Sequence, residues 1–403
     1  MSFWNADHFR FNRLELAGSL GDLGTLLPLA LGMILINGLD PVGLFVSIGL
    51  FYIAAGLYFG VTVPVQPMKV IGAYAVATGL SALQITAAGL LMALFLLVIG
   101  ASGAMGAIGR MMPRAVVRGV QLSTGVLLIR EGVKLIMGMS RVQTLAEKAE
   151  PFLTFQSLGP LPIGLVIGVG CVVLAFLLID NQRLPGGLVV VAAGLLVGIA
   201  AGQRTEMTQV QMGLYLPTWL PFGWPAWADF SGALILMVLP QIPMTIGNAV
   251  VAYGDLSHQY FGEEAKRVTP RAACLSMAGA SFFSALVGGM PLCHGAGGLA
   301  AHYRFGARTA GSNLMIGTLL MVVVLFLGPH TVSLLHLLPL SVLGVLLLFA
   351  GSELAMTMID LQSRKELFVA VVMVGITLAL NLAVAFVVGI VVAAVLKSSR
   401  FNV

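Results

Sequence analysis

The chain has 403 residues, of which 59% are hydrophobic and 9% charged, with a formal net charge of +5. A soluble domain carries about 25% charged residues, so this composition excludes one and points to a polytopic α-helical membrane protein. Long unbroken apolar runs such as 89–100 and 316–328 exclude the alternation of a membrane barrel, and scattered Lys and Arg exclude a nucleic-acid surface.

A membrane crossing needs ~20 apolar residues. Breaks at Gly, Pro and charge clusters place segments near 16–36, 41–60, 67–82, 84–108, 114–137, 160–180, 186–202, 231–253, 270–287, 295–303, 310–328, 339–358, 367–382 and 383–397, about fourteen in all. The start, 1–13, is polar and aromatic and predicts no cleavable signal peptide. In the first segment Asp22 sits among Gly18, Gly21 and Gly24, where helices pack closely. It can carry a coupling proton, balance Lys69 or bond to backbone. Glu15, nearer the end, is expected to be solvated.

The third segment fails as a helix at its start. Residues 61–65 are β-branched and broken by Pro64, which favours extended chain, and Pro67 suits the first turn of a following helix. That helix would point its N-terminus, with free N–H groups and partial positive charge, into the membrane. Lys69 adds a full charge there, as an anion ligand, an ion-pair partner of Asp22 or a snorkelling side chain. Gln66 offers an amide donor to a ligand or to a neighbouring helix.

The eighth segment holds Gln241, Thr245 and Asn248 at spacings that share one helix face. Uncharged donors suit an anion without trapping it; interhelical bonding is the alternative. The stretch 288–298 repeats the logic of the third segment. Pro291 favours extended chain, and Gly295, Ala296, Gly297 and Gly298 then let backbone approach a ligand. His294 can donate to the ligand, gate by protonation or bond structurally. Cys293 beside it gives too few ligands for a metal.

Other features read as scaffolding. Residues 141–150 suggest a solvated loop helix, 255–271 a mixed-charge loop, and His330 and His336 an interfacial loop. Trp219, Trp224 and Trp227, with Pro217, Pro221 and Pro225, mark an interfacial linker. Cys171, Cys274 and Cys293 imply no disulfide, and no cofactor motif is present. With the N-terminus in the cytoplasm, 15 of the 21 Lys and Arg fall in inner loops, 5 in outer loops, and Lys69 within the membrane. Both termini are then cytoplasmic.

The two halves are weakly alike. Pro64 and Pro291 are 227 apart, and Pro113 and Pro339 are 226 apart. Seven segments per half, an odd number, would invert the second repeat and put a ligand near the midplane between the repeats. The expected organisation is a first repeat over 1–202, an outer linker over 203–230 and a second repeat over 231–403.

The motifs P-V-Q-P-M-K over 64–69, P-L-C-H-G-A-G-G-L-A-A-H-Y-R-F-G-A-R-T over 291–309 and E-L-A-G-S-L-G-D-L-G-T over 15–25 resemble the molybdate transporter family, a branch related to sulfate permeases. The resemblance implies a uracil- and sulfate-permease-like fold of seven plus seven inverted spans, with core and gate domains moving in an elevator-like way. In that fold short strands in segments 3 and 10 precede half-helices that hold the substrate. It implies a secondary transporter importing molybdate, sulfate or tungstate through a bacterial cytoplasmic membrane. Many sulfate permeases carry a cytoplasmic regulatory domain after the last segment; here none is expected, a departure from that pattern. The expected substrate ligands are Gln66, Lys69, Gln241, Thr245, Asn248, His294, Gly295 and Ala296. Asp22 and His294 are the candidate carriers of a co-transported proton, with sodium as the other candidate ion. A homodimer fits this reading. A nucleobase permease is the rival within the fold, but Gln241, Thr245 and Asn248 supply no carboxylate for ring N–H groups. An anion channel is the rival outside it. An enzyme is not expected, because no paired carboxylates or nucleophile–base set is present.

Overall fold

Helices occupy the apolar segments of the sequence in order. The computed structural model describes residues 9–103, 113–178, 181, 185–202 and 211–397. Helices α1 (Arg13–Gly21) and α2 (Leu23–Leu35) meet at Asp22 with a 47° bend. Then come α3 (Pro41–Phe59), β1 (Gln66–Pro67), α4 (Lys69–Thr78), α5 (Ala82–Ser102), α6 (Arg114–Ile136) and the short α7 (Arg141–Ala146). Strands β2 (Ser157–Leu158) and β3 (Leu161–Pro162) form a small hairpin before α8 (Ile163–Leu178) and α9 (Gly186–Ala201). A 39-residue helix, α10 (Trp227–Ala265), is followed by α11 (Pro270–Leu286), β4 (Leu292–Cys293), α12 (Ala296–Phe305) and α13 (Ala310–Leu327). The short α14 (Thr331–Leu335) precedes α15 (Leu340–Met356), α16 (Arg364–Ala379) and α17 (Leu382–Leu396). Among the described residues, five helices are long and apolar enough to cross a membrane alone, or six if α1 and α2 count as one bent span. Arg110, Arg183, Arg204 and Arg400, which entered the charge count, lie outside the described residues.

These helices pack as two groups: α1–α5 with α10–α14, and α6–α9 with α15–α17. Glycines set the closest approaches. A Cβ on Gly125 would lie 2.5 Å from the Gly351 carbonyl, and one on Gly132 2.5 Å from the Gly344 carbonyl. One heptad apart on both helices, these pairs press α6 and α15 backbone to backbone. Gly49 and Gly317 do the same for α3 and α13.

The two breaks meet. β1 pairs antiparallel with β4, Gln66 opposite Cys293 and Pro67 opposite Leu292. Irregular backbone at membrane depth persists only if its polar groups find partners inside the protein, and here they do. Asn313 accepts from Val63 N–H at 2.9 Å and donates to Val63 C=O at 2.8 Å. Ser281 both donates to Leu292 C=O and accepts from its N–H, and Ser284 donates to Met290 C=O. Met68 N–H reaches Pro291 C=O at 2.9 Å.

The first segment bends at Asp22: Gly21 and Gly24 weaken it locally, and the Asp22 side chain accepts from Gln66 at 2.5 Å. Three sequence expectations need correction. Glu15 is not solvated. It is 2% exposed and accepts from Arg308 and Thr309 N–H, pinning α1 to the start of α13. Within 141–150 only α7 is helical, and Glu150 is buried, accepting from Leu340 and Ser341 N–H at 2.8 Å each. Burial raises the Glu150 carboxyl above its ordinary range, and the Ser341 and Leu340 donors pull it partway back. Finally, much of 255–271 is helix rather than loop, because Leu256, Tyr260 and Phe261 pack against the core.

Candidate functional site

A cavity of about 510 Å³ lies between the two helix groups. Its wall from the first group includes Thr25 of α2, Lys69 of α4, Asn248 of α10, and α12 from Gly297 to Arg304. The opposite wall comes from α6, α8, α9 and α15, including Gln121 and Glu353. Lys69 therefore opens α4 and lines the cavity. No ion pair joins it to Asp22 among the described residues.

The two half-helix starts differ. At α4, Gln241 Oε1 accepts from Val70 N–H at 2.9 Å and Ile71 N–H at 3.2 Å, while its Nε2 donates to Thr245 Oγ1 at 2.9 Å. Two N–H groups of that helix end, those of Val70 and Ile71, are thus occupied by a neutral side chain. Gln241 and Thr245 are each 1% exposed and stand behind α4, not in the cavity. Of the three donors expected on one face, only Asn248 lines the cavity. The reason lies in α10: Pro240 and Pro243 remove ladder donors, and Thr245–Ala252 widens to a π-helix, which turns Asn248 away from its neighbours.

At α12 no side chain among the described residues accepts from Ala296, Gly297 or Gly298 N–H. Gly297 is exposed in the cavity, and a Cβ there would meet nothing within 4 Å. Its neighbours are the reverse. A Cβ on Gly295 would lie 2.3 Å from Gln66 Oε1, and one on Gly298 2.6 Å from both Asp22 Oδ2 and Gln66 Nε2. Gln66 and Asp22 thus sit fully buried against the start of α12, joined by Gln66 Nε2 donating to Asp22 Oδ1. Asp22 Oδ2 and Gln66 Oε1 have no partner among the described residues.

His294 lies elsewhere. Its Nδ1 is 3.0 Å from Pro64 C=O and its Nε2 3.2 Å from Ser276 Oγ, with Phe51, Phe59 and Tyr253 around the ring. It braces the lead into β1 and does not line the cavity. His302 holds Thr62 in a similar way, at 2.8 Å. Sequence reasoning missed Thr25, Arg304 and Glu353 as lining residues. Glu353 carried a usable signal, an ionisable group inside an apolar segment; Thr25 carried none.

Residues 14–128 and 233–354, which contain Thr25, Lys69, Gln121, Asn248, His294, Arg304 and Glu353, match the family described as "Molybdate transporter of MFS superfamily". Molybdate transporter 2 of Arabidopsis thaliana is 32% identical over 397 residues, covering 90% of this chain and 82% of that protein. The chain belongs to the molybdate transporter family. Molybdate transporter 1 of Chlamydomonas reinhardtii is 31% identical over 471 residues, covering 94% of this family member and 90% of the algal protein. Among solved structures, the transmembrane domain of the cyanobacterial bicarbonate transporter BicA superposes with a TM-score of 0.65 at 18% identity, over 96% of this chain and 98% of that one. The murine anion transporter Slc26a9, in its inward-facing state, gives 0.68 at 16% identity, over 96% and 69%. This molybdate transporter family member therefore shares their fold. It is an integral membrane transporter and not an enzyme.

Proposed function

We propose that the chain is a secondary transporter that carries molybdate, or a like tetrahedral oxyanion such as tungstate or sulfate, into the cytoplasm. The observation that carries this reading is the cavity wall on which the Lys69 ammonium, the Asn248 amide and the unfilled start of α12 face one space. A dianion needs charge, directed donors and a helix dipole, and these groups supply one of each. Gln66 packs behind that helix start against Gly295, while Gln241 caps α4 and bonds Thr245, so their role in binding is indirect, and Ala296 contributes its backbone N–H. His294 braces the first break.

Fourteen segments in two inverted repeats of seven, divided by a linker over 203–230, fit the antiparallel pairing of β1 with β4, one from each half. Movement of the α1–α5 and α10–α14 group against the other group would carry the site across the membrane. Import of a dianion against a negative-inside potential costs about 2.3 kcal/mol per charge per 100 mV, so a coupled cation is part of the reading. Asp22 is the better placed coupling group, because its free Oδ2 abuts Gly298 next to the cavity wall, whereas both His294 nitrogens have partners.

The test is radiolabelled molybdate uptake into proteoliposomes under an imposed proton or sodium gradient, with tungstate, sulfate and uracil as competitors. Concentrative uptake competed by the oxyanions and not by uracil is expected. Uptake that only equilibrates, or that uracil competes, would replace this reading by a channel or a nucleobase permease. Uptake indifferent to both gradients would remove the coupling.

A further inference from the structure

Where α6, α15 and the turn after α15 form the cavity wall, they line it mostly with apolar groups such as Leu128, Val345, Leu346 and Phe349. Three polar side chains interrupt that wall: Gln121, Glu353 and Thr357. Glu353 would repel a dianion. The Thr357 hydroxyl has Leu354 C=O at 2.8 Å and Gln121 Oε1 at 3.0 Å, so its one proton is already taken.

Gln121 is different. It follows Arg114, the first residue of α6, by about two helical turns, or roughly 10 Å, and is 2% exposed. Its orientation follows from donor chemistry. A guanidinium can only donate, so the Gln121 atom 2.7 Å from Arg118 Nη1 is the carbonyl oxygen. Arg118 sits one turn earlier on the same helix face. Asp360 holds it, accepting from Arg118 Nε at 2.9 Å, and also pairs with Arg114 at 3.0 Å. With Oε1 claimed, Gln121 Nε2 has no hydrogen-bond partner among the described residues, and it is not one of the polar atoms sealed from solvent. A buried amide is ordinarily satisfied on both of its atoms. Here one end is clamped and the donor end is left for whatever enters the cavity.

We propose that Gln121 is a further substrate-binding residue, its Nε2 donating to the oxyanion from the wall that faces Lys69 and Asn248. Arg118 and Asp360 are its positioning residues. The proposal rests on the oxyanion reading of this cavity. α6 packs against α4, the helix that Lys69 opens, so donors of both helices reach one space. The two walls belong to different helix groups. Movement of one group against the other would therefore break the Gln121 contact, and Gln121 would add affinity at one membrane face only.

The test is the molybdate KM measured in right-side-out and in inside-out vesicles containing the full chain, with thermal unfolding as the measure of fold. Gln121→Met, neutral and similar in length, is expected to raise KM about tenfold at one face and leave the other face unchanged. Gln121→Glu keeps an acceptor for Arg118 but exchanges the donor for a second acceptor, so it should fold as wild type does and raise KM further at that same face. Asp360→Asn should give a smaller rise there. Wild-type KM at both faces in folded Gln121→Met would overturn the proposal. An equal rise at both faces would also overturn it, because it would assign Gln121 to packing. If Gln121→Met does not fold, Gln121→Glu decides, and wild-type KM at both faces would overturn the contact. Absence of molybdate transport by wild type would instead remove the oxyanion reading, and this contact with it.

Discussion

The two breaks in the membrane helices are built from similar sequence but present different chemistry. At the first, the dipole end of α4 is already occupied by Gln241, and what reaches the cavity is the Lys69 charge. At the second, no side chain among the described residues caps α12, and Gly297 leaves its backbone open to the cavity. One break offers a full side-chain charge, the other the partial charge of the backbone. The difference teaches that a helix N-terminus inside a membrane is not an anion site by default. Its N–H groups must also be left unclaimed, and here only one of the two ends meets that condition.

Removing the charge should break the comparison most sharply. Lys69→Gln is expected to lower uptake kcat/KM by about tenfold to a hundredfold, the worth of a charge-assisted hydrogen bond. Lys69→Arg should recover most of it. Gly298→Ala tests the packing behind the second break. Its methyl group would lie 2.6 Å from Asp22 and Gln66, so loss of folded protein or of all uptake is expected, measured by size-exclusion yield and transport. Gln241→Leu should leave Val70 and Ile71 N–H without an acceptor and lower thermal stability by about 1–3 kcal/mol. Gln241→Glu, which keeps the acceptor, should restore much of that stability. Gly297→Ala has the smallest expected effect. It fits sterically and suits a helix, so stability should hold while KM rises a few-fold because a methyl group shields the N–H groups.

Much of this was legible in the sequence. Pro64, Pro67 and Pro291 announced extended chain at membrane depth, and Lys69 announced a charge there, because proline and buried charge act locally. The partners were not legible. Gln241 looks like a ligand on a helical wheel, yet it caps another helix 171 residues away in sequence. His294 looks like a proton carrier beside the glycines, yet its ring points back to Pro64. Glu15 and Glu150 look like solvent-facing charges, yet each accepts from the start of a distant helix. In each case the deciding contact spans the chain, and local spacing carries no trace of it.

The most direct measurement is equilibrium binding of radiolabelled molybdate to purified wild-type protein, Lys69→Gln and Gly297→Ala, with Gln241→Glu as the comparison that leaves the cavity wall intact. The prediction is a large loss for Lys69→Gln, a smaller loss for Gly297→Ala and near-normal affinity for Gln241→Glu. Wild-type affinity in both Lys69→Gln and Gly297→Ala, with both proteins folded, would contradict the assignment of the oxyanion to this cavity.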